Sequence, residues 1–357
     1  MEFFAGVDTH KDSHSIVVID QLGQILDRIT IEANRAGYAD AIARTAKYVG
    51  LTWGLEGTGS YGRVFADLLA REGHTVFEVP GMISKRHRRR LRRRGKSDPQ
   101  DAHAIAEAVL REHETLTRHL EVDAEEASRL LYERRDRNVR ERTVKVNRMR
   151  ALALRLELEL PDDVTTARAL DTVATALQRQ QISRYSDFEV LDEIRDLIVD
   201  LRRIADRIAD LEKRMGPFVD RLAPELLQMR GCSTVTAAGL IGHTGSTENY
   251  RSPDAFASHG GTAPVPCSSG KHQSVRLCTG GNRAINRCLH TIANVQMRSE
   301  GHQGKTYYDR KRSEGKTHRE AMRCLKRRLA AVVFRILQRS EAARRAASAP
   351  TFTLAIA

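Results

Sequence analysis

Four carboxylates in the first third of the chain have the types and surroundings for metal-assisted phosphoryl transfer. Asp8 and Glu56 each follow an apolar run that reads as a strand, Phe3 to Val7 and Leu51 to Leu55, and ligand sites in α/β sheets lie at the carboxyl ends of strands. Asp98 and Asp101 stand in SDPQD at a helix mouth. Proline disfavours helical geometry in the residue before it and fits the first helical position, so Asp98 reads as N-cap, Pro99 as N1 and Asp101 as N3. Four such acids together would repel one another without cations. Two Mg²⁺ ions about 3.5 to 4 Å apart, held by carboxylates and phosphate oxygens, can activate a nucleophile and stabilise a leaving oxygen. Each acid alone also has a plainer reading, as a turn acid at a strand end or as one of a capping pair. Their joint placement is what points to a site.

Directly before the Asp98 helix, nine of the twelve residues from Lys85 to Lys96 are basic: Lys85, Arg86, Arg88, Arg89, Arg90, Arg92, Arg93, Arg94 and Lys96. A run like this cannot pack on itself, so it is solvated or paired with polyanion, and a nucleic-acid backbone is the usual polyanion. The whole chain agrees, with a net charge of +13 over 357 residues and an isoelectric point near 9.8. A membrane surface is the weaker alternative, because no lipidation or amphipathic-anchor signal accompanies the charge. The five cysteines, odd in number and without a CxxC pair, exclude a disulfide framework or a zinc site and read as reduced thiols. The N-terminus carries an acid where a signal peptide needs a base, and nowhere are there 18 consecutive apolar residues. A cytoplasmic protein with no membrane segment is expected.

The elements that must position the acids follow from periodicity. Three β-rich runs, Phe3 to Val7, Ser15 to Ile19 and Ile25 to Ile31, are followed by alternating helical and strand patterns up to Val79. The order βββαβαβ, with the Asp98 helix after it, is the ribonuclease H-like arrangement, in which the first and fourth strands are parallel neighbours. Residues 116–216 lack glycine until Gly216 and carry dense mixed charge, the texture of long helices. Leu191, Ile194, Ile198, Leu201, Ala205 and Ile208 form a coiled-coil seam, which fits an intramolecular hairpin or a dimer zipper. The basic residues from Arg134 to Arg150 read either as a phosphate track or as a solvated helix face.

Past Gly216-Pro217 a third unit is expected. Leu226 to Ile241 reads as helix, glycine turn, helix, whose turn amides can hold a phosphate. The stretch Gly260 to Lys271 is too rich in Gly, Pro and Ser to read as a regular element. Lys271, Arg276, Arg283 and Arg287, in and after it, read as further nucleic-acid contacts. From spacing alone, a serine there is a turn residue, since no His-Asp pair stands near to activate it.

These residues carry a resemblance. Asp8 in GVDTHK, Glu56 in GLEGTGSYG, and Asp98 and Asp101 in GKSDPQDAHAIA, with MRGCSTVTAAGLIGHTG and GTAPVPCSSGKHQSVRLCTGGNRAINRCLH downstream, resemble the DEDD transposases of the Piv/MooV invertase-like insertion-sequence family, the bridge-RNA-guided recombinases. The resemblance spans roughly residues 3–340. It implies a RuvC-like DEDD catalytic domain at 1–115, a helical coiled-coil connector at 116–216 and a mostly helical transposase domain at 217–340; residues 341–357 lie beyond the family pattern and are expected to be a disordered tail. It also implies that Asp8, Glu56, Asp98 and Asp101 bind Mg²⁺, two ions per composite site. Ser269, the serine before the glycine, would attack a DNA phosphate. The serine is doubled here, as Ser268-Ser269. Further implied partners are an element-encoded guide RNA that pairs with donor and target DNA, and a homodimer that pairs into a tetramer. Two rival classes are a Holliday-junction-resolvase-like metal endonuclease using water, and a non-enzymatic nucleic-acid-binding protein. A stand-alone resolvase has no need of the distant Ser-Gly stretch.

Overall fold

Strands covered on both faces read as unbroken apolar runs, and strands with one wet face alternate. In the computed structural model β1 (Phe3–Thr9) and β2 (Ser13–Asp20) are of the first kind, and β3 (Ile25–Glu32) is of the second. The structure describes residues 2–90, 97–120, 122–181, 184–269, 272–277 and 280–348, with the backbone alone at 90, 265–269, 272–277 and 348. It divides into two units, Met1–Glu121 and Val122–Ala357.

In the first unit, β3 is followed by α1 (Arg35–Thr45), β4 (Thr52–Leu55), α2 (Arg63–Arg71), β5 (Thr75–Glu78), α3 (Gly81–Arg90), α4 (Asp98–Glu112) and β6 (Thr117–His119). The sheet order is β3-β2-β1-β4-β5-β6. β1 pairs β4 and β4 pairs β5 in parallel, and the remaining pairs are antiparallel. This is the expected ribonuclease H-like order, with strands one and four adjacent and Val7 in register with Leu55. Two elements were not legible. The basic run enters a helix, α3, and β6 forms the sheet edge where the sequence reads as the start of a helical connector.

Side chains alternate across a strand, and this decides which face carries the acids. Ala5, Val7, Trp53 and Leu55 pack under Tyr38, Phe65 and Leu69 of α1 and α2. Phe4, Val17 and Ile19 face Ala102, Ile105, Ala106 and Val109 of α4 on the other side. Helix α4 runs so close that a Cβ on Gly6 would lie 2.1 Å from the Ala102 carbonyl oxygen, and one on Gly54 would lie 2.2 Å from Val109 Cγ2. Asp8 and Glu56 each sit two residues beyond one of these glycines, so both continue the face that α4 covers.

The second unit contains α5 (Asp123–Arg155), α6 (Ala167–Gln178), α7 (Tyr185–Leu222), α8 (Thr234–Thr244), α9 (Pro253–His259), β7 (Pro264–Ser269), β8 (His272–Leu277), α10 (Arg283–Arg298), α11 (Gln303–Ser313) and α12 (His318–Ser348). The connector and the C-terminal segment, expected as separate domains, fall in this one unit. Helix α7 continues through Gly216-Pro217, where a boundary is expected. An interior proline costs about 3 kcal/mol, but Met215, Val219 and Leu222 on either side are buried, each contributing roughly 1.5–3 kcal/mol. The seam residues Leu191, Ile194, Ile198 and Leu201 are covered within the chain by Met149 and Leu152 of α5 and Leu170 and Val173 of α6, so their burial does not require a second chain. Of the expected helix, glycine turn and helix, a helix-hairpin-helix-like segment, the first arm is only a short 3-10 turn, Pro224–Gln228.

The Gly-Pro-Ser stretch is a regular element after all: β7 and β8 form a two-stranded antiparallel ribbon, with Ser269 opposite His272. Proline is excluded from strand interiors because it cannot donate to the ladder. Both strands of a lone ribbon are edges, so Pro264 and Pro266 are tolerated. Residues 349–357 of the expected tail lie outside the described residues, while 341–348 are helical, because α12 runs to Ser348. Its Glu341 carboxylate is buried and accepts from Ser246 Oγ (2.6 Å), Thr247 N (2.7 Å) and Thr247 Oγ1 (2.6 Å). Glu341→Ala is expected to cost about 3 kcal/mol, since it strands buried donors. A lower denaturation midpoint, with faster amide exchange at Thr247, is the check. Among the described residues no helix is long and apolar enough to cross a membrane.

Candidate active site

The site lies where β1, β4, α3 and α4 meet. Asp8, buried at 9 % exposure, ends the buried part of β1. Glu56 follows β4, its amide donating to the Val7 carbonyl at 3.3 Å. Asp98 and Asp101 occupy the first turn of α4. The cap differs from expectation by one residue: Ser97, in extended geometry, is the N-cap, and Asp98 is the first helical residue. The Ser97 carbonyl accepts from Gln100 and Asp101. Asp98 is thereby released from capping and faces the site.

Asp8 senses the other three acids. The Asp8 carboxyl is pushed above the usual carboxylate range, first by burial and then by the negative charges of Asp101, Asp98 and Glu56, with His10 opposing. Each acid has a partner nearby. His10 Nε2 lies 3.2 Å from Asp8 Oδ2 and 3.4 Å from Asp98 Oδ1. Ser84 Oγ donates to Glu56 Oε2 at 2.7 Å, and Arg88 Nη1 donates to Asp101 Oδ1 at 2.5 Å. A Cβ at position 81 would lie 2.6 Å from Glu56 Oε1, so glycine there leaves that carboxylate room.

This donor set fits a hard divalent cation, which takes carboxylate oxygens. Asp8, His10 and Asp98 each offer a ligand atom, and those atoms lie within 4.8 Å of one another. Burial first, and then the neighbouring acids, raise the Asp8 carboxyl, and a bound cation would offset both.

His10, Ser84 and the pairing of Arg88 with Asp101 were missed in the sequence. His10 had a signal, since it stands two residues after Asp8 and period two returns a side chain to the same face. Ser84 and Arg88 had none, because the helix that aims them was unforeseen.

The basic residues have divided fates. On α3, Arg86 and His87 both engage Glu112, Arg88 engages Asp101, and Lys85 and Arg89 are exposed. The side chain of Arg90, and Arg92, Arg93, Arg94 and Lys96 entirely, lie outside the described residues. So do Lys271 and the side chains of Ser268, Ser269 and Arg276, although the backbone of both serines closes β7. Arg283 opens α10 and is exposed, while Arg287 pairs with Asp136 at 2.5 Å. The α5 cations favour the face reading over a phosphate track: Arg135 pairs with Glu212, Lys145 with Asp200 and Arg148 with Glu193 of α7.

Comparison with known proteins gives a consistent result. A transposase profile, DEDD_Tnp_IS110, matches residues 5–156, and the profile "Transposase IS116/IS110/IS902 family" matches residues 223–309. The uncharacterized 44.8 kDa protein of insertion element IS116 from Streptomyces clavuligerus is 25% identical, over 94% of each chain. The uncharacterized 42 kDa protein of insertion element IS900 from Mycobacterium paratuberculosis is 27% identical, over 94% of this chain and 95% of that one. A solved structure, T. thermophilus RuvC in complex with a Holliday junction substrate, aligns over 30% of this chain and 90% of its own, with 15% identity and a TM-score of 0.25. The ribonuclease H-like reading rests instead on strand order and direction. With a DEDD profile over the carboxylate unit, a second profile of the same elements over the serine hairpin, and relatives aligned along nearly the whole chain, this protein belongs to the transposase family of the IS110, IS116 and IS902 insertion elements.

Proposed function

We propose that the protein is an RNA-guided DNA recombinase that moves its insertion element by exchanging DNA strands through a covalent phosphoserine. The observation that carries the metal half of this reading is geometric: Asp8, at the end of β1, has ligand atoms of His10 and Asp98 within 4.8 Å, and its carboxyl is raised by burial and then by Asp101, Asp98 and Glu56. Asp8, Glu56, Asp98 and Asp101 would hold Mg²⁺, two ions per composite site. Bound there, the cations would neutralise phosphate oxygens and ease attack by an alcohol oxygen. Ser84 and Arg88 keep Glu56 and Asp101 in place, and His10 steadies Asp8 and Asp98.

Ser269 Oγ forms the new bond to phosphorus, the P–O bond to one sugar breaks, and the departing sugar oxygen takes up a proton. Because the phosphoserine conserves the ester, attack by a hydroxyl of another strand restores the DNA and frees the serine without an energy source. Donor and target DNA are chosen by pairing with an element-encoded structured RNA, and the protein reads mainly backbone shape. The basic run from Lys85 to Lys96 serves that reading. The active assembly is a tetramer of paired dimers, with acids from one subunit opposing Ser269 of another.

The test is to express the gene with its flanking DNA and recombine donor and target plasmids. Recombination that requires a co-purified RNA transcribed from the flanks is the expected result. Unchanged recombination after ribonuclease treatment of the protein would remove the guide from the scheme. Separately, replacing Arg89, Arg90, Arg92, Arg93 and Arg94 with Gln is expected to flatten the salt dependence of binding by about one log-log unit for each phosphate that the side chains no longer neutralise. An unchanged slope would assign the run to solvent.

A further inference from the structure

We infer that a basic cleft along α12, at the root of the β7–β8 ribbon, grips the phosphodiester backbone of the DNA strand presented to that ribbon. The cleft has a volume of about 760 Å³. One wall is Gly261 to Pro264, the residues that lead into β7. The other is α12, where Arg323, Arg327 and Arg335 fall on one ridge at multiples of four residues. Lys316, Lys326 and Arg328 join them, against a single acid, Glu320.

The positive charge is cancelled only in part, with Glu320 feeling the charges of Arg323 and Lys316. The Glu320 carboxylate is already engaged by the Thr317 amide and hydroxyl, both at 2.8 Å, and Arg327 pairs with Asp254. Among the described residues no carboxylate pairs with Lys316, Arg323, Lys326 or Arg335, whereas Arg135, Lys145 and Arg148 of α5 are each matched by an acid of α7. Arg328 lies over the Tyr307 ring at 5.0 Å. The Lys326 ammonium is pulled below the usual lysine range by burial and then by Arg283 and Arg323, a burden that a bound anion relieves.

The cleft and the ribbon are mechanically joined. Lys326 Nζ donates to Asn286 Oδ1 at 2.9 Å, and Asn286 Nδ2 donates to the carbonyls of Gly260 and Gly261, at 3.0 Å each. A phosphate beside Lys326 therefore sits against the same bonds that hold the root of β7. From Arg323 to Arg335 α12 rises roughly 18 Å, the axial rise of about five nucleotides. A row of this length suits a continuous backbone better than a single phosphate. The choice of DNA over RNA rests on the proposed role of Ser269, since the attacked strand is DNA.

The test uses the full chain carrying Lys316→Gln, Arg323→Gln and Arg335→Gln together, none of which is buried. A control removes equal charge from exposed positions of α7, with Arg195→Gln, Arg203→Gln and Lys213→Gln. Fluorescence anisotropy with a labelled DNA duplex of about 30 base pairs, and with an RNA duplex of the same sequence, gives the slope of log K against log salt; the cleft variant is expected to lose about 2–3 units on DNA and the control less than about 1. Equal losses in both variants, no loss in either, or a loss confined to RNA would overturn the proposal. Binding needs no cleavage, so the slopes are also read in a Ser269→Ala background. A cleft effect that persists while no covalent adduct ever forms would leave the cleft standing and remove the serine reading, and the converse result would do the reverse.

Discussion

Asp8→Asn protein is expected to exchange strands between donor and target plasmids at least ~10³-fold more slowly than wild type, which corresponds to about 4 kcal/mol of lost transition-state stabilisation. Asparagine keeps the shape of the side chain but removes the negative charge that, in the proposed function, would hold a cation between β1 and α4. Two further readouts separate this from misfolding. Binding of nucleic acid should be unchanged, because removing an acid from a basic protein does not weaken its hold on phosphate. The melting temperature without added metal should hold or rise, because Asp8 is buried among Asp101, Asp98 and Glu56, whose charges disfavour its ionised form. Glu56→Gln, Asp98→Asn and Asp101→Asn are expected to behave alike. If Asp98→Ala recombined normally and only melted earlier, Asp98 would be a helix-dipole residue, worth about 0.3–1 kcal/mol, and the metal reading of α4 would fail.

Ser269→Ala should lose recombination by a factor on the order of 10⁴ or more, the scale on which a covalent nucleophile is missed. The sharper measurement is a suicide substrate nicked beside the cleavage point. Wild type is expected to trap a protein–DNA adduct, and Ser269→Ala to trap none. An adduct that survives in Ser269→Ala and vanishes in Ser268→Ala would move the nucleophile by one residue. No adduct in any variant would make water the nucleophile and favour the resolvase-like endonuclease. Acids and serine lie in different units of the chain, and attack needs the oxygen within about 3–3.5 Å of phosphorus. If the site is assembled between subunits, mixing Asp8→Ala with Ser269→Ala protein should restore part of the activity. A mixture as inactive as its components would mean that each chain uses its own pair.

The amino-acid sequence by itself determined the arrangement of the first five strands of the first unit, but not the edge strand β6. Continuous apolar runs become double-faced central strands, and the order βββαβαβ allows few sheet topologies, so Asp8 and Glu56 were legible as neighbours. The same logic read the helical texture of residues 116–216. It erred where local rules compete. Pro99 marked a helix start correctly, yet the cap fell on Ser97, because two adjacent polar residues can each serve and the closer fit is decided by what Asp98 faces. Pro217 read as a boundary, although burial of Met215 and Val219 outweighs the missing hydrogen bond. Pro264 and Pro266 argued against a strand, a rule that lapses in a ribbon with two edges.

Only the tertiary structure decided what surrounds the acids. Helix α4 can lie close over β1 because positions 6 and 54 lack a Cβ, and that close approach brings Asp98 and Asp101 to Asp8. Helix α3 then aims Ser84 and Arg88 at Glu56 and Asp101. Such pairings join residues far apart in the chain, and periodicity carries information only about near neighbours. The same is true of charge. Counting residues showed an excess of cations, but only packing showed that Arg135, Lys145 and Arg148 of α5 are matched by α7 acids while in the α12 cleft Arg327 has a carboxylate partner and Arg323 and Arg335 have none among the described residues, because pairing depends on which helix faces are brought together.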